Sequence, residues 1–61
     1  MAQVPLAQLD TKYRYNVVKG AELIGKSDCV HNMRKRAKFR KAQLWRIQQF
    51  GAPLLVDDFG R

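Results

Sequence analysis

Gly25-Lys26-Ser27-Asp28 is the stretch that separates one predicted helix from the next in this sequence of 61 residues. Gly25 suits the left-handed residue that ends a helix, and Ser27 or Asp28 suits the N-cap of the following helix. Asp28 also brings a negative charge to the positive end of that helix. The stretch therefore predicts a mainly α fold in which two helices meet at residues 25–28.

The segment before this stretch carries two competing patterns. Its apolar residues fall at steps of three and four, as on one face of a helix: Leu6, Leu9, Tyr13, Val17, Ala21 and Ile24. Residues 13–18 also alternate, and their aromatic and β-branched side chains favour a strand. Gly20 weakens a continuous helix. We expect a helix broken near Gly20, with a short strand over residues 13–18 as the alternative.

The segment after the stretch predicts a helix that begins near Asp28. This helix would bury Val30, Met33 and Ala37. Its opposite face would carry His31, Asn32, Lys35 and Arg36. The apolar stripe cannot continue onto Arg40 and Lys41, so either the helix turns away from the core there or a new helix begins near Lys38.

A further helix is predicted over residues 39–50. It would bury Phe39, Leu44, Ile47 and Phe50, with Trp45 at its margin. Gly51 is a stop signal for this helix, and Pro53 follows it. The short run of residues 54–56 would be an edge strand or a lid on the core. The fold class expected is a small, mainly α, helix-turn-helix-like domain that can add a short strand pair from its N-terminal and C-terminal segments.

The chain is short enough for one domain only, expected over residues 1–61 with frayed ends at 1–5 and 57–61; Pro5 could open a helix at its first position. A domain of this size buries only about 60% of its unfolded surface, so it needs support. Cys29 is the single cysteine, which excludes an internal disulfide, and one thiol with one histidine cannot hold zinc. We therefore expect no cofactor and no metal, and we expect a homo-oligomer or part of a larger complex.

Charge is the clearest functional signal. The chain has a formal net charge of +7, and residues 34–41 contain six cations and no acid. Crowded like charges repel each other and must stay solvated, so they do not stabilise a fold. A polyanion such as nucleic acid explains the crowding best, while an acidic protein or simple solubility are the alternatives. A membrane-surface helix would need more large apolar residues than this segment contains.

Two segments resemble small phage helix-turn-helix regulators of the Cro, Cox and excisionase kind. In Gly20-Ala21-Glu22-Leu23-Ile24-Gly25-Lys26-Ser27, Ala21 matches the small residue of the first helix and Gly25 matches the turn glycine. Residues 43–51 are similar to the supporting helix of Cro-type repressors. Together the segments cover about half of the chain. The sequence departs from the family's pattern at His31, where the family has a buried Val or Ile.

The resemblance implies duplex-DNA recognition by the second helix in the major groove, and a domain this small would bind as a dimer or cooperatively along DNA. Asn32 would pair with adenine, and Lys35 or Arg36 with guanine. Phosphates would be held by Lys38, Arg40 and Lys41. The full set of residues expected to bind nucleic acid is Lys26, Ser27, His31, Asn32, Arg34, Lys35, Arg36, Lys38, Arg40 and Lys41.

Nothing in the sequence predicts an enzyme. Cys29 and His31 have no third partner, and Asp57 and Asp58 fall near the chain end without a pocket. We expect a small basic nucleic-acid-binding protein of the cytoplasm or nucleoid, most simply a phage-type transcriptional regulator or excision factor that binds double-stranded DNA. An RNA-binding component of a ribonucleoprotein particle, or an inhibitor that binds a host protein through its basic face, are the alternatives.

Overall fold

Four antiparallel strands and one α-helix make up residues 6–61, the part of the chain that this computed structural model describes. A 3-10 turn at Leu6–Gln8 precedes them. In chain order the elements are β1 (Tyr15–Lys19), β2 (Glu22–Ser27), α1 (Val30–Arg40), β3 (Gln43–Arg46) and β4 (Leu54–Asp58). The sheet order is β2-β1-β3-β4, so α1 carries the chain from the outer strand β2 to the inner strand β3.

The prediction of a mainly α, helix-turn-helix-like domain is wrong. Residues 20–27 form a hairpin turn and the strand β2, and residues 43–46 form β3 rather than a supporting helix. Gly20, at a φ of +61°, opens a two-residue turn between β1 and β2. Gly25 lies inside β2 and ends no helix. The Gly20 signal was real, but it marks a hairpin and not a break in a helix.

The strand alternative is confirmed over residues 15–18, although β1 begins two residues later than expected and continues to Lys19. This central strand is buried on both faces, because Val17 and Val18 point to opposite sides of the sheet. Val17 packs under α1 with Met33, Ala37, Ala42 and Leu44. On the other face, Val18 packs with Leu9 and Trp45 beneath the N-terminal segment. The two apolar clusters are therefore separated by the sheet itself.

Asn16 is a fully buried polar residue on the face opposite α1. Its carboxamide oxygen accepts a 2.8 Å hydrogen bond from the Asp10 amide. Its nitrogen donates to the carbonyls of Asp10 and Tyr13 at 3.2 and 3.3 Å. One side chain thus satisfies three backbone groups and holds the segment that leads into β1 against the sheet.

The helix α1 has the predicted buried face but different ends. Met33 and Ala37 are buried, and Val30 is half-buried. Neither Ser27 nor Asp28 is the N-cap: Cys29 occupies that position without a side-chain hydrogen bond to the helix. The Ser27 hydroxyl accepts from the Cys29 amide at 3.0 Å, and the Asp28 carboxylate accepts from the Arg14 amide at 2.8 Å.

Lys41 ends α1 in the left-handed region, at φ 53° and ψ 53°. The Ala42 amide donates to the Ala37 carbonyl at 2.8 Å, which closes the last turn and directs the chain into β3. Because the chain reverses here, the predicted helix over residues 39–50 does not form. Phe39 and Phe50, which were expected in the core, are 85% and 82% exposed.

The C-terminal segment forms an edge strand that is longer than predicted. β4 begins at Leu54 and continues through Asp57 and Asp58, residues that were expected in a frayed end. It pairs with β3, so the strand pair expected between the two ends of the chain does not form directly. The other expected end, residues 1–5 with Pro5, lies outside the described residues.

We expect Asn16→Ala to lower the free energy of unfolding by about 1–3 kcal/mol, because it leaves buried backbone groups without partners. Asn32→Ala is the matched control, since Asn32 is exposed on α1 and alanine favours a helix. Urea unfolding followed by circular dichroism measures both. Equal midpoints for the two variants would contradict the anchoring role of Asn16.

We expect Lys41→Gly to raise the free energy of unfolding by about 0.5–1 kcal/mol, since glycine adopts the left-handed conformation without a steric cost. The same substitution inside the helix, Lys35→Gly, should cost about 1 kcal/mol. Both variants lose one positive charge, so relief of repulsion is common to them. Destabilisation by both would show that the Lys41 backbone is not strained.

Candidate nucleic-acid interface

The outer side of α1 is free of packing because the helix attaches to the sheet along a narrow strip. Ala37 has no exposed surface, and Met33 is almost fully buried. The other residues from His31 to Arg40 are exposed. Since the helix turns about 100° per residue, they spread over most of its circumference. The short apolar strip therefore leaves a broad surface available to a partner.

An open groove follows this surface and reaches the end of β2 at Ser27. We call it the α1 groove. Its lining is Ser27, Asn32, Met33, Lys35, Arg36, Lys38, Phe39 and Arg40. Every residue of it except Ser27 belongs to α1, so one rigid element positions its charges.

The cations of the α1 groove differ in their engagement with the rest of the protein. Among the described residues, no carboxylate lies within 4.0 Å of the charged groups of Lys35, Lys38 or Arg40. The Arg36 guanidinium donates to the Ile24 carbonyl at 3.4 Å, and its aliphatic part fills the space above Gly25. A Cβ at Gly25 would overlap the Cδ of Arg36. Glycine at this position thus lets Arg36 lie flat across the edge strand.

Arg34 lies on the flank of α1 that faces β4. Its Nε is 3.2 Å from Oδ2 of Asp57, and both side chains remain partly exposed. An ion pair of this kind adds little to stability. It does neutralise Arg34 locally and turns it away from the α1 groove.

Lys26 does not join the α1 groove. Its ammonium group is 2.9 Å from Oδ2 of Asp10 and 5.4 Å from the centre of the Tyr13 ring. The hydrogen bond from Lys26 lowers the pKa of Asp10, with a second contribution from the Lys12 amide. The same hydrogen bond raises the pKa of Lys26. Lys26 thus acts as a brace for the N-terminal segment.

The remaining predicted residues fall near the α1 groove or at the ends of the helix. Asn32 and Ser27 line it, while Lys41 is exposed at the helix end. His31 is exposed in the first turn. Phe39 also lines the α1 groove, although the sequence pattern predicted it in the core. The signal that could have found it is its position off the Met33–Ala37 stripe, between the two cations Lys38 and Arg40.

The two C-terminal acids have structural contacts in the sheet. Asp58 accepts from the side-chain amide of Gln43 at 3.2 Å, and the Gln43 oxygen accepts from the Trp45 indole at 3.1 Å. These two hydrogen bonds give the N–H group of the buried Trp45 indole its acceptor and hold that acceptor in place. Within residues 6–61, no three side chains of His, Cys, Asp or Glu come together as metal ligands would.

Comparison with protein-family models, with curated proteins and with solved structures gives no match for this chain. Over residues 6–61, no helix has both the length and the apolar character needed to cross a membrane. The function is therefore inferred from the geometry and charge of the α1 groove.

The contact of Lys26 with Asp10 predicts a pH dependence. We expect the Asp10 pKa to lie below its ordinary value of 3.8 and to rise in Lys26→Gln, which removes the hydrogen bond and the charge. Because the folded-state pKa is lowered, the stabilisation is present above the unfolded-state pKa. It is lost as the pH falls through the folded-state pKa.

Carboxyl-detected NMR titration of Asp10 measures this effect. Lys19→Gln is the control, since Lys19 is exposed at the end of β1 and has no carboxylate within 4.0 Å among the described residues. Identical Asp10 midpoints in wild type and both variants would show that Lys26 does not hold the carboxylate.

Proposed function

We propose that this chain is a small nucleic-acid-binding protein that docks the outer face of α1 on double-stranded DNA, in the role of a transcriptional regulator or excision factor. The observation that carries the proposal is the group Lys35, Lys38 and Arg40, exposed on one helix without carboxylate partners among the described residues. Phosphates of a nucleic acid supply the missing negative charge.

The sign pattern of the helix favours a polyanion over a solvated surface. A helix that needs only solubility mixes both signs, usually with acids one turn before lysines. α1 contains no acid at all, although its first turn would gain stability from one. The charge pattern lowers the stability of the free protein, and binding to phosphates reverses that cost.

The geometry of α1 supplies both kinds of contact that DNA recognition uses. Phosphates would be contacted by Lys35, Lys38, Arg40 and Lys41, and such contacts fix the position of the helix without reading sequence. Asn32 lines the α1 groove and would reach base edges in the major groove. One helix of 11 residues has few such contacts, so binding as a homo-oligomer belongs to the proposal.

The edge strand β4 is the surface that we propose for self-association. Leu54 and Leu55 are exposed on it, and its outer backbone groups pair with no other described strand. Exposed apolar edge strands readily pair with a second chain. β4 also holds Asp57 and Asp58 and no cation, whereas the other edge strand, β2, carries Lys26. The cytoplasm is the proposed compartment, since it keeps the exposed Cys29 thiol reduced.

The test is the salt dependence of binding to a fluorescent DNA duplex, measured by anisotropy. We expect Lys35→Gln, Lys38→Gln and Arg40→Gln together to weaken binding at least tenfold. The slope of log affinity against log salt should flatten by about 2.7, because three phosphate contacts are lost. Lys12→Gln, Lys19→Gln and Arg61→Gln together are the control, with the same net charge change on exposed residues outside α1.

The control should keep nearly the wild-type slope. Equal losses in the two triple variants would mean that net charge alone drives binding, and absence of DNA binding by the wild type would refute the proposal. Repeating the titration with structured RNA and with an acidic protein domain tests the two alternative functions, a ribonucleoprotein component and an inhibitor of a host protein. A clear preference for RNA supports a ribonucleoprotein component, and binding to protein alone supports an inhibitor.

A further inference from the structure

Phe39 is the most exposed of the large apolar side chains in the described residues, at 85%. It lies on the outer surface of α1, one residue before the end of the helix, and neither apolar cluster of the protein includes it. A phenylalanine that stays in water forgoes the large stabilisation that burial of its ring would bring. A polar residue would serve α1 equally well at this position in the free protein.

The cations around Phe39 restrict what can cover it. Lys38 and Arg40 project about 100° to either side of the ring, and Lys35 lies one turn before it on the same face. None of the three has a carboxylate within 4.0 Å among the described residues. An ordinary apolar protein pocket would have to desolvate these cations without compensation. The occupant must therefore combine a flat apolar surface with negative charges on both sides of it.

A nucleic acid has this combination, since each base is a flat ring between phosphates. We propose that the Phe39 ring stacks on the face of a base, so that α1 prefers DNA in which a base is already unstacked, such as a single-nucleotide bulge. The inference rests on the proposed function, because the phosphate contacts of Lys38 and Arg40 bring the ring to the base. Stacking on an aromatic side chain is tolerant of base identity, so the preference is for unpaired structure and not for a sequence.

The selectivity follows from the cost of exposing a base. In a perfect duplex the ring must compete with base stacking and pairing, whereas an unpaired base presents its face at a smaller cost. Lys35, Lys38 and Arg40 bind the flanking phosphates in either case. Phe39 thus adds discrimination to an affinity that the cations supply.

The experiment compares two fluorescent DNAs of the same length, a perfect duplex and one with a single unpaired adenine, by anisotropy over a range of salt. We expect wild type to prefer the bulged duplex roughly five- to hundredfold, the range of one base–aromatic stack. Phe39→Ala should lose this preference and keep the salt slope. Phe39→Trp should retain it, since indole stacks at least as well.

Phe50→Ala is the matched control, because Phe50 is 82% exposed in the loop before β4 and lies outside the α1 groove. It should keep the wild-type preference. If wild type binds both DNAs equally, or if Phe39→Ala keeps the preference, the stacking inference fails while the proposed function stands. If no variant binds DNA in a salt-dependent way, both fail. Both phenylalanines are exposed, so the alanine variants are expected to fold.

Discussion

The contact of Met33 and Ala37 with the buried strands β1 and β3 is the interaction on which the structure depends. Ala37 brings the helix backbone close to the sheet, and Met33 fills the space above Val17. Two buried side chains and the half-buried Val30 hold the helix to the sheet. Apart from Arg34 and Arg36, which contact β4 and β2, the remaining exposed residues of α1 have no side-chain hydrogen bond or ion pair with the rest of the described protein. The outer surface of α1 can therefore carry charges that the fold does not require.

The distribution of acids shows the same separation between structure and surface. The carboxylates of Asp10, Asp28, Asp57 and Asp58 all accept hydrogen bonds that fix a loop, a strand or a strand end. Among the described residues, all of the donors to these carboxylates lie outside the α1 groove. The cations of that groove therefore keep their full field in the solvent, where it would attract a polyanion over about 10 Å at moderate salt. The free protein pays for this arrangement in repulsion along the helix.

The sequence predicted the elements whose signals were local. The stripe of Val30, Met33 and Ala37 located α1, and alternation identified β1 as the alternative to a helix. Residues 43–46 were missed because they form a strand by pairing with β1, which is distant in the chain, and with β4, which follows only after a loop over residues 47–53. The helix end at Lys41 carries no glycine signal. Because the end of α1 at Lys41 was not predicted, Phe39 was assigned to the buried face of a helix over residues 39–50 and not to the candidate site.

The candidate site was predicted as a set of cations, but the structure divides that set. Lys26 braces the N-terminal segment and Arg34 turns toward Asp57, whereas Lys35, Lys38 and Arg40 share one exposed face with Phe39. Amide chemical-shift mapping of the nitrogen-15-labelled protein, titrated with a DNA duplex, tests this division most directly. We expect shifts concentrated from Asn32 to Lys41 and small shifts around Asp10 and Lys26. Shifts centred on the sheet face near Asn16, with α1 unchanged, would contradict this division.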